Sequence, residues 1–226
     1  MKINVKTSNP ENFTKASRPL SSIRYIVIHY TGGSADTAKN NADYFARENV
    51  GVSAHYFVDE STVWQSVPDN HNAWHCGTKN KYYHPSCRNS NSIGIELCAR
   101  KTMSGEYYFP DETVALAVEL TKALIAKYNI PIENVVRHYD VTHKQCSLPY
   151  LSGNGWAEFK KKLTDCTEED EMTIYKTLND VPAWGQQCVQ HLIAKGYLNG
   201  GSNDNLDLEH YMLRTLVIGY RAGLYR

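Results

Sequence analysis

Arg24-Tyr25-Ile26-Val27-Ile28-His29-Tyr30 is a short apolar run rich in β-branched residues. Such a run, without polar alternation, marks a strand buried on both faces of a sheet. Ser92-Ile93-Gly94-Ile95-Glu96-Leu97 reads the same way, and residues 134–138 supply another strand. Helical patterns lie between them. Residues 36–48 put Ala38, Ala42, Phe45 and Ala46 on one face. Residues 111–129 carry a stripe of Val114, Ala117, Val118, Thr121, Leu124, Ile125 and Tyr128, stopped by Pro131. Residues 54–58 and 62–67 flank Asp59-Glu60-Ser61 as a hairpin. Residues 156–163 form a short closing helix. Strands interleaved with helices predict an α/β fold, a mixed central β-sheet flanked by helices.

Strand-end residues of such a sheet cluster at one edge. His29 closes the first run, His138 closes Val135-Val136-Arg137, and Glu96 sits near the end of its strand, so the three are expected to converge. Cys146 follows in the loop His138-Tyr-Asp-Val-Thr-His-Lys-Gln-Cys146. Two imidazoles and a thiolate are good zinc ligands, and they leave a fourth tetrahedral position for water. That donor set fits a catalytic zinc better than a structural one. A carboxylate inside an apolar strand is costly unless partnered. Glu96 therefore reads as a general base for the water on zinc, against the plainer reading of an edge-strand side chain pointing outwards. Lys144 would stabilise an oxyanion beside the metal, although a loop lysine is ordinarily just solvated. Asp140 is expected to brace the loop. A second cluster from His71, His75, Cys76, His84 and Cys87 has ligand types but no recognisable zinc spacing.

Composition bounds the rest. In 226 residues, 24 Lys and Arg balance 24 Asp and Glu. The zero net charge gives no global basic field for nucleic acid. Tyrosine, at 16 against 5 Phe, suits a groove for polar polymers and equally an ordinary core. No stretch approaches the roughly 20 apolar residues of a membrane span. Residues 1–7 lack an apolar signal core, so the expectation is synthesis in the cytoplasm without a signal peptide. Six cysteines are too sparse for a disulfide scaffold, and Cys76, Cys87, Cys98, Cys166 and Cys188 read as reduced thiols. Residues 68–90 are turn-rich and suggest a long functional loop.

Residues 167–171 are an acidic run. The expected organisation is a catalytic domain over 1–165, a linker over 166–172 and a small all-helical module over 173–226. Trp184, Cys188, Val189, Leu192 and Ile193 mark one helix of that module, and Leu208, Met212, Leu213, Leu216 and Tyr220 the other.

His29 in Val-Ile-His-Tyr-Thr, the strand Asn-Ser-Ile-Gly-Ile-Glu-Leu, and the segment His138 to Pro149 together resemble the zinc-dependent type 2 N-acetylmuramoyl-L-alanine amidases. Phage endolysins and peptidoglycan recognition proteins belong to that family. The resemblance spans about residues 15–163. It implies that His29, His138 and Cys146 hold Zn2+, and that Glu96 and Lys144 are the catalytic pair. It implies cleavage of the amide between N-acetylmuramic acid and L-alanine of the stem peptide, as an endolysin or autolysin acting on the cell wall after release. Trp74 and His75 look like the family's groove wall, and Asn91 is a further substrate-binding candidate. One branch carries a catalytic tyrosine where this chain has Ala54, which leaves the role to Glu96. Cysteine at 146, where cytoplasmic fragment-recycling relatives use aspartate, points to intact wall as substrate. The rival is a peptidoglycan-binding protein that does not cleave, a state typical of relatives lacking the cysteine. Residues 179–214 weakly resemble a single S-layer-homology-like repeat, which implies binding to a secondary cell-wall polymer. The alternative there is a dimerisation hairpin and a homo-oligomer.

Overall fold

The computed structural model describes residues 1–16, 18–78, 81–164, 173–199 and 206–225. The chain divides into two compact units, Met1–Leu163 and Thr164–Arg226. The expected acidic linker and Cys166 lie outside the described residues.

In the first unit the strands are β1 (Ile3–Val5), β2 (Phe13–Thr14), β3 (Tyr25–Tyr30), β4 (Tyr56–Val58), β5 (Val63–Gln65), β6 (Asn72–Ala73), β7 (Ser92–Leu97), β8 (Arg100–Lys101), β9 (Tyr107–Tyr108) and β10 (Val135–Arg137). The helices are α1 (Ala38–Arg47), α2 (Asp111–Tyr128), α3 (His138–Thr142) and α4 (Gly155–Thr164). Six strands make the main sheet in the order β1-β5-β4-β7-β3-β10. The pairs β4–β7, β7–β3 and β3–β10 are parallel, whereas β4–β5 is antiparallel. The expected mixed sheet with flanking helices is therefore present. The unexpected strand is β1, which adds to the edge parallel to β5.

The central strands are apolar on both faces because both are covered. Ile26, Ile28, Ile93, Ile95 and Leu97 pack with Ala117, Leu120 and Leu124 of α2 and with Phe159 and Leu163 of α4. Each fully buried aliphatic side chain contributes about 1.5–3 kcal/mol relative to exposure. The opposite face packs Val27 and Val136 with Cys76, Cys87 and Val141, and Phe57 with Ala38 and Ala42 of α1. The buried stripe of α2 is Thr113, Ala117, Leu120, Thr121 and Leu124. Val114, Val118, Ile125 and Tyr128 of the expected stripe are only partly buried at its rim. Asn129 ends α2 with φ 54°, a left-handed cap that Asn tolerates.

The hairpin turn is fixed by Asp59. Its carboxylate accepts hydrogen bonds from the Ser61 and Thr62 backbone amides at 2.9 and 2.7 Å, and from the Ala38 amide at 2.8 Å. The turn is thereby tied to the first turn of α1, where an acceptor is favourable. Asp69 makes a comparable brace: it accepts from Tyr56 Oη at 2.7 Å, Gln65 Nε2 at 3.1 Å and Lys127 Nζ at 3.0 Å, and also from Tyr128 Oη.

The second unit has helices at Ala183–Ala194 and His210–Arg221. It is not wholly helical, because Ile174–Tyr175 pairs antiparallel with Leu208–Glu209. Its core contains Tyr175, Val181, Cys188, Val189, Leu192, Leu208, Leu213 and Val217. Leu208 thus lies on a strand, and Met212 is 48% exposed rather than core. Among the described residues no helix is long and apolar enough to cross a membrane.

Candidate metal centre

The sheet register builds the site. Along β3 and β7, Ile28 pairs with Ile95 and His29 with Glu96. Along β10 and β3, Arg137 pairs with Ile28, so His138 follows at the level of His29. His29, Glu96 and His138 therefore lie at the carboxyl ends of three adjacent parallel strands, where open α/β sheets place their ligands. His138 does not extend β10; it opens α3, a turn capped by Asp140. Asp140 accepts from the Arg137 amide at 2.8 Å and from Arg137 Nη2 at 2.7 Å. Beyond α3 the chain doubles back. The Tyr139 amide donates to the Cys146 carbonyl, which brings Cys146 beneath the strand ends.

His29, His138 and Cys146 are all buried, and one ligand atom from each lies within 4.8 Å of the others. No other such group of three or more occurs among the described residues. His29 Nδ1 is 3.6 Å from Cys146 Sγ and 3.9 Å from Glu96 Oε1. His138 Nδ1 is buried and has no hydrogen-bond partner, and the same holds for Glu96 Oε2. Buried polar atoms without partners are uncommon and ask for a reason. Converging lone pairs from two imidazoles and a thiol supply one, because that donor set suits zinc. The site thus fits the metal on its own geometry.

The electrostatics agree. Burial holds His29 well below its ordinary value, helped by His138, His75, Lys144 and His55. Burial, with Lys144, lowers His138 to about 4. Both rings are neutral near pH 7, as ligands must be. Burial pushes the Cys146 thiol up to about 12, with Glu96 adding to the effect and the Tyr30 backbone and Lys144 opposing it. Burial likewise raises Glu96 to about 8; Lys144 counters the rise and Asp36 adds to it. A cation in the site favours both anions. Lys144 is exposed, yet its charge is felt at His29, His138, Cys146 and Glu96.

The three substrate-binding candidates sit differently. Trp74 is partly exposed, with Nε1 donating to Thr14 Oγ1 at 2.9 Å. His75 is only 8% exposed. It lies behind His29 with both ring nitrogens in hydrogen bonds, so it is no groove wall. Asn91 spends its amide locally, accepting from the Arg88 amide and donating to the Ser86 carbonyl. Ala54 is buried with Ala38, Ala42 and Phe57, so it offers no proton-transferring group. His71, His75, Cys76, His84 and Cys87 form no metal cluster, and Cys76 and Cys87 are free thiols. Thr78 was not foreseen: its Oγ1 is 3.3 Å from His138 Nε2 and 2.9 Å from Thr142 Oγ1. A loop threonine has no periodic pattern that would reveal such a contact.

Residues 19–149 match the family model described as N-acetylmuramoyl-L-alanine amidase. The N-acetylmuramoyl-L-alanine amidase CwlL of Bacillus licheniformis is 34% identical over 160 residues, covering 67% of this chain and 43% of the relative. CwlA of Bacillus subtilis is 30% identical over 169 residues, covering 72% of this chain and 59% of the relative. The chain thus spans about half the length of the curated relatives it matches. Among solved structures, PlyL aligns with a TM-score of 0.61 at 31% identity, covering 73% of this chain and 98% of PlyL. The catalytic domain of XlyA aligns with a TM-score of 0.59 at 30% identity, covering 72% of this chain and 99% of that domain.

Proposed function

Because the chain belongs to the N-acetylmuramoyl-L-alanine amidase family, we propose that it hydrolyses the amide joining N-acetylmuramic acid to L-alanine of the peptidoglycan stem peptide. In this reading His29, His138 and Cys146 hold zinc, and the protein acts on the cell wall as an endolysin or autolysin. The observation that carries it is the buried His29–His138–Cys146 group with the Glu96 carboxylate 3.9 Å from His29.

Zinc bound there supplies Lewis acidity, polarising the scissile carbonyl and lowering the pKa of water to about 7. Glu96 takes the proton of the attacking water and delivers it to the leaving amine as the carbon–nitrogen bond breaks. Lys144 offsets the negative charge on the tetrahedral oxygen. Trp74, partly exposed and held by Thr14, is the substrate-binding candidate retained from the loop. We assign binding of a secondary cell-wall polymer to the second unit, whose Tyr197 and Tyr211 are 60% and 67% exposed. Co-sedimentation with walls before and after removal of that polymer checks this assignment.

The central test is digestion of purified peptidoglycan with and without chelator, followed by added zinc. New amino groups, lost on chelation and restored by zinc, with released peptides beginning at L-alanine, are expected. New reducing sugar ends, or wall binding without release, overturn the reading.

A further inference from the structure

We propose that His75 is a positioning residue for the metal centre, fixing the tautomer of His29 through a buried hydrogen-bonded chain that ends on the Arg88 carbonyl. The inference rests on the reading of His29 as a metal ligand. His29 turns Nδ1 towards Cys146, and its Nε2 lies 3.1 Å from His75 Nδ1. His75 Nε2 lies 3.0 Å from Ser92 Oγ, and Ser92 Oγ lies 2.7 Å from the Arg88 carbonyl oxygen.

One proton assignment satisfies every link. A carbonyl only accepts, so the Ser92 hydroxyl donates to Arg88. Ser92 Oγ then accepts from His75 Nε2–H. Neutral His75 is left with a bare Nδ1, which accepts from His29 Nε2–H. His29 Nδ1 is left bare, 3.6 Å from Cys146 Sγ and 3.9 Å from Glu96 Oε1. The protein thus selects the metal-binding tautomer from the far end of the chain. A ligand imidazole whose second nitrogen is held in this way binds metal more tightly.

The surroundings hold His75 in place. The amides of His75 and Cys76 both donate to Asn89 Oδ1, at 3.1 and 2.9 Å. The ring lies over Gly94, where a Cβ would come within 2.5 Å of His75 Cγ. The slot exists because residue 94 has no side chain. His138 is supported differently, by a longer contact to Thr78 at 3.3 Å.

The test measures zinc affinity by chelator competition in the full chain, with cobalt absorption reporting ligand geometry. His75→Leu keeps bulk but removes the acceptor, and a loss of about 10–100-fold is expected. His75→Asn can place an acceptor near the Nδ1 position and should restore affinity to within about threefold of wild type. Ser92→Ala cuts the chain two links from the metal and serves if His75→Leu does not fold; a loss of about threefold or more is expected. Wild-type affinity in His75→Leu, or in Ser92→Ala if the former is unfolded, overturns the proposal. Equal losses in folded Leu and Asn variants would assign His75 to packing and also overturn it. A wild-type chain that binds no zinc overturns the metal reading itself, and this inference with it.

Discussion

Glu96→Gln should abolish hydrolysis and stabilise the metal-free protein at alkaline pH. Burial raises the Glu96 carboxyl from 4.5 to about 8. The folded state therefore holds this proton more tightly than the unfolded chain does. The associated stability is complete below pH 4.5 and is lost as pH rises to about 8. At about 1.4 kcal/mol per pH unit the full loss is about 5 kcal/mol. The side chain is 21% exposed, so water screens part of it. We expect about 2–4 kcal/mol. Glutamine is neutral throughout and escapes the loss. The assay is urea unfolding of chelator-treated wild type and Glu96→Gln at pH 5 and pH 8.5. Subtracting one protein from the other cancels the titrations they share. The gap should open in favour of the glutamine variant at the higher pH. A gap that is the same at both values refutes the claim that Glu96 is charged at the expense of the fold.

Other consequences can be checked alongside. Cys146→Ser should lose zinc affinity and hydrolysis together; retention of tight zinc by equilibrium dialysis would remove Cys146 from the ligand set. His29, His55, His75 and His138 are all depressed by burial, His55 to about 3 and His138 to about 4. The unfolded chain regains the ordinary 6.5, so metal-free stability should fall as pH drops from 6.5 towards 4, by up to about 1.4 kcal/mol per pH unit per histidine. Equal urea midpoints at pH 7 and pH 5 in the Glu96→Gln background would contradict this. Gly94→Ala should cost about 1–3 kcal/mol by overpacking against His75 and should weaken zinc binding with it. An alanine variant with unchanged melting temperature and zinc affinity would show that the slot is wider than its 2.5 Å clearance implies.

The central strands were legible because burial on both faces writes an unbroken apolar run. The apolar run over residues 92–97 reads as a strand and forms β7 with those same ends. Convergence of His29, Glu96 and His138 followed from their shared place at strand ends. Elements held by long-range pairing left weaker marks. Ile3–Val5 is only three residues, alternates in exposure, and becomes a strand by lying on β5. The sequence pattern of α2 favours Val118 and Ile125 over Leu120, since an apolar helix with several aliphatic faces does not say which one meets the sheet. His75 sits in an aperiodic loop, and Asn91 ends a single 3-10 turn (Asn89–Asn91) before β7. His75 is turned inward by Asn89 and Ser92, and Asn91 is held locally by Arg88 and Ser86, contacts that residue type alone does not reveal.

The order of the donors along the chain has a consequence for synthesis. His29 and Cys146 are 117 residues apart. At roughly 5–20 residues per second, the ribosome needs on the order of 10 s to deliver the second after the first. Through most of that interval β3 has been made, yet β10 and the Cys146 loop, which finish its site, have still to appear. A product interrupted before Cys146 carries at most two of the three donors. On the proposed reading a chain stopped short of Cys146 therefore has no complete metal site, and hydrolysis awaits a nearly finished first unit.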